Sequence, residues 1–249
     1  MNPILRWYGS KTKISEWIIR KFPRHNTYLE AFGGGGAVLL NKKPSQIEVF
    51  NDLEPKVVNF FKVLQSKPKE LELTLFATPY AAPHFGNSPV EEAAAFCVQQ
   101  VTGFSGFNAR KKQVVLLDTS NLACSKAEVW SKWYLRVPTA HERFKSVNIT
   151  NTDALKAIAE HEDPNTLIYC DPPYVLHEQD YSKTVDLKEL IRLLKKSKSK
   201  IVLSGNEHFS RDLSGWWRDE REVVTASSSK KKKSCEYIYT NFLSSGIKL

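Results

Sequence analysis

The chain has 249 residues, 41% of them apolar, 25% charged and 11% aromatic, with 36 Lys+Arg against 27 Asp+Glu and a formal net charge of +9. This composition excludes a disordered or collagen-like chain and fits one large domain, or a domain of about 150 residues carrying a smaller one. No stretch approaches the ~18 consecutive apolar residues that cross a bilayer, Met1 to Trp7 carry no apolar leader core, and Cys97, Cys124, Cys170 and Cys235 form neither a C-x-x-C pair nor a zinc pattern. A cytoplasmic protein with reduced thiols, no metal and no membrane partner is expected.

Read in chain order, Thr12 to Phe22 places Ile14, Trp17, Ile18 and Phe22 on one helical face, and Tyr28 to Phe32 reads as a strand running into four glycines. Ala37 to Asn41 follows as a helix, Ile47 to Phe50 as a strand, and a further helix opens near Pro55, where proline suits a first turn. The alternation lapses between about Ser66 and Val137, a stretch with helical patterns at Val90 to Val101 and Lys126 to Leu135. It resumes with a strand at Val147 to Asn151, a helix at Ala154 to His161, a strand at Thr166 to Cys170, a helix at Leu187 to Lys196 and a strand at Lys200 to Leu203. Glu222 to Ala226 and Glu236 to Phe242 read as two edge strands joined by a loop over Ser227 to Ser234. The pattern predicts a mostly parallel sheet with helices on both faces and an antiparallel C-terminal edge. Residues 1–65 and 138–249 would form this α/β domain, with 66–137 inserted into it as a helical lobe.

Two motifs carry chemistry. Glu30-Ala31-Phe32-Gly33-Gly34-Gly35-Gly36 follows the first strand, and glycines at a strand-to-helix turn let a nucleotide-like ligand approach backbone N–H groups. Asp52 follows the next strand, where an acid can accept hydrogen bonds from ribose hydroxyls. The glycines do not fit G-x-G-x-x-G, and Gly9-Ser10-Lys11-Thr12 does not fit a Walker loop, which argues against a dinucleotide and a triphosphate. Asp171-Pro172-Pro173-Tyr174 stands directly after an apolar strand, at the carboxyl end where α/β folds bind ligands. The lone pair of an exocyclic amine on a heteroaromatic base is delocalised into the ring. The Asp171 carboxylate and the Pro172 carbonyl could accept its N–H bonds and favour the pyramidal nitrogen that attacks a methyl group, Pro172 and Pro173 stiffen the turn, and Tyr174 offers a stacking face.

In this order the motifs resemble the Dam-like N6-adenine DNA methyltransferases (D12 class, α-group) over nearly the whole chain. Arg6 to Lys11 resembles that family's N-terminal cofactor motif, with Trp7, Gly9 and Lys11 in its positions. Glu30, Phe32, Gly33, Gly34 and Gly35 are similar to its glycine motif, Asp52 to its ribose-binding acid, Asp153 of Asn151-Thr152-Asp153 to its next acidic motif, and Asp171 to Tyr174 to its D-P-P-Y. The segments 202–206 and 236–241 resemble its later sheet motifs. The resemblance implies a Rossmann-like methyltransferase fold and S-adenosyl-L-methionine as methyl donor, with S-adenosyl-L-homocysteine as product and no metal. Aromatic residues would cover the sulfonium or adenine, and the protein would supply positioning.

It also implies a double-stranded DNA substrate from which the adenine is flipped into the pocket. The lobe 66–137 would then be the target-recognition domain. Phe104, Asn108, Arg110, Lys111 and Lys112 suit base reading and wedging, although Phe104 and Phe107 equally suit the lobe's own core. This loop departs from the family's R-x-G-x-N-G and G-x-F-N pattern, which argues against GATC as the site. Lys230, Lys231, Lys232 and Lys233, placed in the C-terminal loop, are expected to meet phosphates. A monomer acting beside a cognate restriction endonuclease, in a bacterial nucleoid or a phage-infected cell, completes the expectation. N4-cytosine methylation and a non-catalytic DNA-binding protein with a degenerate methyltransferase fold are the alternatives, which product analysis separates.

Overall fold

The computed structural model describes residues 1–78, 86–102, 128–173, 185–227 and 230–243, with the backbone alone at 102, 224–227 and 230–233. In chain order these form a 3-10 turn Lys11–Lys13, α1 Ser15–Ile19, β1 Thr27–Glu30, α2 Ala37–Asn41, β2 Ile47–Asn51, α3 Pro55–Ser66, α4 Pro68–Ala77, α5 Pro89–Thr102, a helical turn at 128–131 and a 3-10 turn Trp133–Arg136. Then follow α6 Val137–Phe144, β3 Asn148–Thr150, α7 Ala154–Glu160, β4 Thr166–Cys170, α8 Leu187–Lys196, β5 Lys200–Gly205, α9 Phe209–Asp212, β6 Trp217–Ser227 and β7 Lys230–Thr240. No described helix is long and apolar enough to cross a membrane.

The predicted α/β alternation is present, with local corrections. The helix expected over 12–22 is a 3-10 turn followed by the short α1, because Ile14 leaves helical angles (φ −122°) and Pro23 denies them to Phe22. The helix expected over 126–135 is helical at 128–131 and then tightens to 3-10 at Trp133–Arg136, while residues 126 and 127 lie outside the described ones. Helix α4 went unread because Leu71 and Leu75 are buried but Leu73 and Phe76 are exposed, which blurs its apolar stripe.

The chain divides into two compact units. The first comprises Met1–Ser15, Gly34–Lys42 and Glu54–Asn151, and contains the whole of 66–137, whose described elements are all helical. Its central helix is α3, opened by Pro55 and capped by the Glu54 carboxylate, which accepts from the Lys56 amide. Val57, Phe60, Phe61 and Leu64 recur at helical spacing and are all buried. Phe61 stacks on Phe144 of α6 with ring centres 4.4 Å apart, and α5 packs alongside.

The second unit comprises Glu16–Gly33, Lys43–Leu53 and Thr152–Leu249. Its strands run β2-β1-β4-β5-β7-β6, parallel from β2 to β5 and antiparallel at β7 and β6. Side chains alternate between faces along each strand. Leu29, Ile168, Cys170, Ile201, Leu203 and Tyr239 form a core with Ile158 of α7, with Leu190, Ile191 and Leu194 of α8, and with Phe209 of α9. The intervening Tyr28 and Tyr169 meet Phe22, which follows α1. Both faces of the central strands are thereby buried, as parallel strands require.

Strand β1 lies between β2 and β4, so the winding of the sheet reverses between β1 and β4. At the other edge the sequence reading is corrected: Lys230–Lys233 belong to β7, not to a loop, and pair in turn with Ser227, Ala226, Thr225 and Val224. The β-favouring Val223, Val224 and Thr225 of β6 draw the lysines into a ladder. Strand β7 meets β5 only through Tyr237–Thr240, with Tyr237 opposite Gly205 at the carboxyl end of β5. Residues before Tyr237 continue beyond that end as a two-stranded ribbon with β6, roughly 20 Å long.

Candidate active site

In the second unit, the expected site residues gather at the carboxyl ends of β1, β2 and β4. Glu30 pairs with Phe50 on one side and with Tyr169 on the other. Phe32, Asp52 and Asp171 each stand two residues past this level, so the three leave the sheet along one edge, with the two aspartates on either side of β1. Two strand spacings put them about 10 Å apart. Both aspartates are half-buried, and Pro172 is buried behind Asp171. Tyr174 lies outside the described residues.

The turn after β1 is held from both neighbours. The Ala31 amide donates to the Tyr169 carbonyl at 3.0 Å, and the Gly33 amide to the Asn51 carbonyl at 2.8 Å. A side chain at Gly33 is excluded, since its Cβ would lie 2.3 Å from the Phe50 ring. Glu30 is buried and accepts the Tyr28 hydroxyl at 2.7 Å. Burial, followed by the charge of Glu30, holds the Tyr28 hydroxyl well above its ordinary pKa. Burial and then Asp171 do the same to Tyr169, whose hydroxyl shares a hydrogen bond of 2.9 Å with Ser204. Asp153 caps α7: its Oδ1 accepts from the Leu155 and Lys156 amides at 2.9 and 3.3 Å.

Sequence reasoning missed Asn51. Its buried amide group donates to the carbonyls of Ala31 and Thr152, at 3.1 and 3.0 Å, while its oxygen accepts from the Thr152 amide and hydroxyl. The one signal was an amide side chain at the last position of strand β2, next to the apolar Val49 and Phe50.

In the first unit, Trp7, Gly34 and Gly35 come together, with Gly9 and Lys11 in the following turn. A Cβ at Gly34 would lie 2.6 Å from Trp7 Cδ1, and one at Gly35 would lie 2.9 Å from the Leu5 carbonyl oxygen. Gly34 also has φ +50°, a conformation glycine adopts without strain. The Ser10 amide closes the turn on the Trp7 carbonyl, and Lys11, buried, donates from Nζ to the Gly9 carbonyl at 3.1 Å. This segment is anchored by residues that the sequence did not single out. The Trp133 indole donates to the Ile4 carbonyl at 2.9 Å, and Arg136, 3.6 Å above the Trp133 ring, donates to the Pro3 carbonyl. Phe104, Asn108, Arg110, Lys111 and Lys112 lie outside the described residues, and for Lys230–Lys233 only the strand register is described.

The charge pattern of the second unit's edge limits its ligands. Residues 30–33, 50–53 and 170–173 include Glu30, Asp52 and Asp171 but no lysine or arginine. Such an edge repels a phosphate and suits hydroxyl donors, amines and a cationic centre. Among the described residues, no group of three or more His, Cys, Asp or Glu side chains is placed to hold a metal ion.

Comparison with known proteins gives the family. The family model described as D12 class N6 adenine-specific DNA methyltransferase matches residues 7–88 and 88–209. The chain is 24% identical to a DNA adenine methylase of Haemophilus influenzae, over 92% of this chain and 88% of the relative. It is 23% identical to the Type II methyltransferase M1.LlaDCHI of Lactococcus lactis subsp. cremoris, over 97% of this chain and 96% of that protein. A shorter stretch, 27% of the chain, is 37% identical to 9% of a DNA N-6-adenine-methyltransferase of Escherichia phage P1. The family match spans both glycine and D-P-P-Y motifs, and the chain belongs to the D12 class N6 adenine-specific DNA methyltransferases.

Proposed function

We propose that this adenine-specific DNA methyltransferase uses S-adenosyl-L-methionine to methylate the N6 amine of an adenine flipped out of double-stranded DNA at a short specific sequence. The observation that carries the cofactor is the acidic edge at the winding reversal. It fits a ligand bearing ribose hydroxyls, an ammonium and a sulfonium, and not a phosphate-bearing one. When bound, that cofactor supplies an activated methyl group. That methyl group would be presented to the lone pair of the target amine, whose N–H hydrogen bonds Asp171 and the Pro172 carbonyl would accept.

The chain's own groups do the positioning. Asp52 accepts the ribose hydroxyls, the turn Gly33 to Gly35 admits the methionyl part close to backbone, and Glu30, Phe32 and Asp153 complete the second unit's set. The likeness of Arg6 to Lys11 to the family's N-terminal cofactor motif supports cofactor-binding roles for Trp7, Gly9 and Lys11. Asp171 and the Pro172 carbonyl accept the N–H bonds of the target amine, Pro173 stiffens the turn, and Tyr174 stacks on the base. Residues 66–137 form the recognition domain, with Phe104, Asn108, Arg110, Lys111 and Lys112 as the residues that read the bases. Lys230–Lys233, on a ribbon that continues past the sheet's carboxyl end, meet phosphates. Likeness to the Type II relative supports a cognate endonuclease as partner. A monomer suffices, since two strands can be modified one at a time.

Transfer of labelled methyl from S-adenosyl-L-methionine to unmethylated mixed-sequence DNA, followed by nucleoside analysis and mapping, tests the reading. N6-methyladenine in one repeated context is the expected product, and label in cytosine would overturn the assignment of the base. Asp171, which also faces the cofactor, should on replacement by alanine keep cofactor binding in part and lose turnover by about 10²–10³-fold or more. Normal turnover would remove Asp171 from the chemistry.

A further inference from the structure

The buried side chain of Asn51 joins three segments that the proposed cofactor site draws on. Its backbone is the last rung of β2, so it sets where Asp52 leaves the sheet. Its Nδ2 donates to the Ala31 carbonyl, at the start of the glycine turn, and to the Thr152 carbonyl, one residue before Asp153. Its Oδ1 accepts the Thr152 amide at 3.0 Å and the Thr152 hydroxyl at 3.1 Å, and its own carbonyl accepts the Gly33 amide. Leucine or valine would serve the sheet's packing equally well at a fully buried strand position. An amide there answers a different need, because it offers two N–H donors and an oxygen acceptor to the two turns, where leucine or valine offers none. Neither turn has a regular ladder partner at these groups, and a buried carbonyl or amide left without one is costly.

We propose that Asn51 is a positioning residue for methyl transfer, fixing the glycine turn and the turn before Asp153 relative to Asp52 so that the cofactor-binding groups are preorganised. It acts through these segments and touches neither substrate nor cofactor. The proposal rests on the cofactor reading given above. A 1 Å looseness in such a constellation is felt in binding and in rate, whereas a purely structural tie is felt in stability alone.

The test compares the intact protein with Asn51→Ala, Asn51→Asp and Leu194→Ala, the last a truncation of a fully buried core residue in α8. Calorimetric binding of S-adenosyl-L-methionine, thermal unfolding and amide hydrogen exchange at Thr152 are measured on each. Asn51→Ala is expected to weaken cofactor binding about tenfold or more, the effect of losing buried hydrogen bonds, and to speed Thr152 exchange. Leu194→Ala, although it lowers the unfolding temperature, should bind as the intact protein does. Asn51→Asp keeps the acceptor and loses the donor, so it should retain slow Thr152 exchange while binding poorly, with a carboxylate set against two carbonyls. Cofactor binding within twofold of the intact protein in Asn51→Ala would overturn the proposal, as would equal weakening in Leu194→Ala. No cofactor binding by the intact protein would overturn the cofactor reading and the proposal with it, an outcome distinct from binding that ignores Asn51.

Discussion

Single residues at the glycine run show where a sequence motif ends and packing begins. Gly33 and Gly34 are adjacent, yet each is glycine for a separate reason: the Phe50 ring fills the space of a Cβ at 33, and the Trp7 ring fills that at 34. Gly9 offers a control, since its φ of +73° is equally left-handed but nothing lies within 4 Å of its Cβ position. Gly9→Ala should therefore cost only the backbone strain, about 1 kcal/mol. Gly34→Ala adds the clash with Trp7 and should cost about 1–3 kcal/mol more than Gly9→Ala in urea unfolding, with a shift in tryptophan emission. Equal losses in the two variants would show that Trp7 moves aside freely. The run of glycines was legible as a ligand turn, but Trp7 and Phe50 lie too far from it in sequence for any spacing rule to find them. Asn51 was hidden for a related reason: its partner Ala31 becomes a neighbour only once β1 and β2 are paired, and its partner Thr152 lies 101 residues further along the chain.

At the scale of elements, most of the sheet could be read from alternation alone, and β4 and α8 fall at their predicted limits. The C-terminal edge could not, because a lysine run carries the composition of a loop. Its strand state comes from its partner strand, which is information held three to nine residues away. This changes what the lysines can do. Successive residues of a strand belong to opposite faces, so the run divides into Lys230 with Lys232 and Lys231 with Lys233. A flexible loop would use all four against a phosphate backbone, whereas a ribbon lying on DNA uses one pair. Paired alanine substitutions should therefore differ. One pair should lower the salt dependence of DNA binding by a slope of about 1–2 in log Kd against log salt, and the other should leave it nearly unchanged. Equal effects would mean that the run acts as undivided charge, and no effect from either would remove the ribbon from the DNA surface.

The whole molecule carries a cost for holding carboxylates at a buried sheet edge, and pH exposes it. Tyr28 and Tyr169 are fully buried, and burial together with Glu30 for the first and Asp171 for the second raises both hydroxyls well above the ordinary 10.0. The folded chain thus keeps protons that the unfolded chain releases near pH 10. The stability that these two groups contribute is complete below that pH and is lost as pH rises toward their folded values. Urea midpoints should stay level from about pH 7 to about pH 9 and fall above about pH 10, with tyrosinate absorbance from these two residues appearing only as the chain unfolds. Tyr28→Phe removes one of the two groups and should flatten the fall. Asp171→Asn should flatten it as well, since losing the aspartate's charge brings Tyr169 back toward 10 and narrows the gap between folded and unfolded states. That last variant joins the two arguments, because the carboxylate proposed to prepare the amine for attack adds, after burial, to what makes Tyr169 and with it the fold sensitive to alkali. An Asp171→Asn protein that is inactive but more tolerant of high pH is the expected result, and one that loses activity with an unchanged alkaline limb would separate the charge at the site from the stability of the sheet.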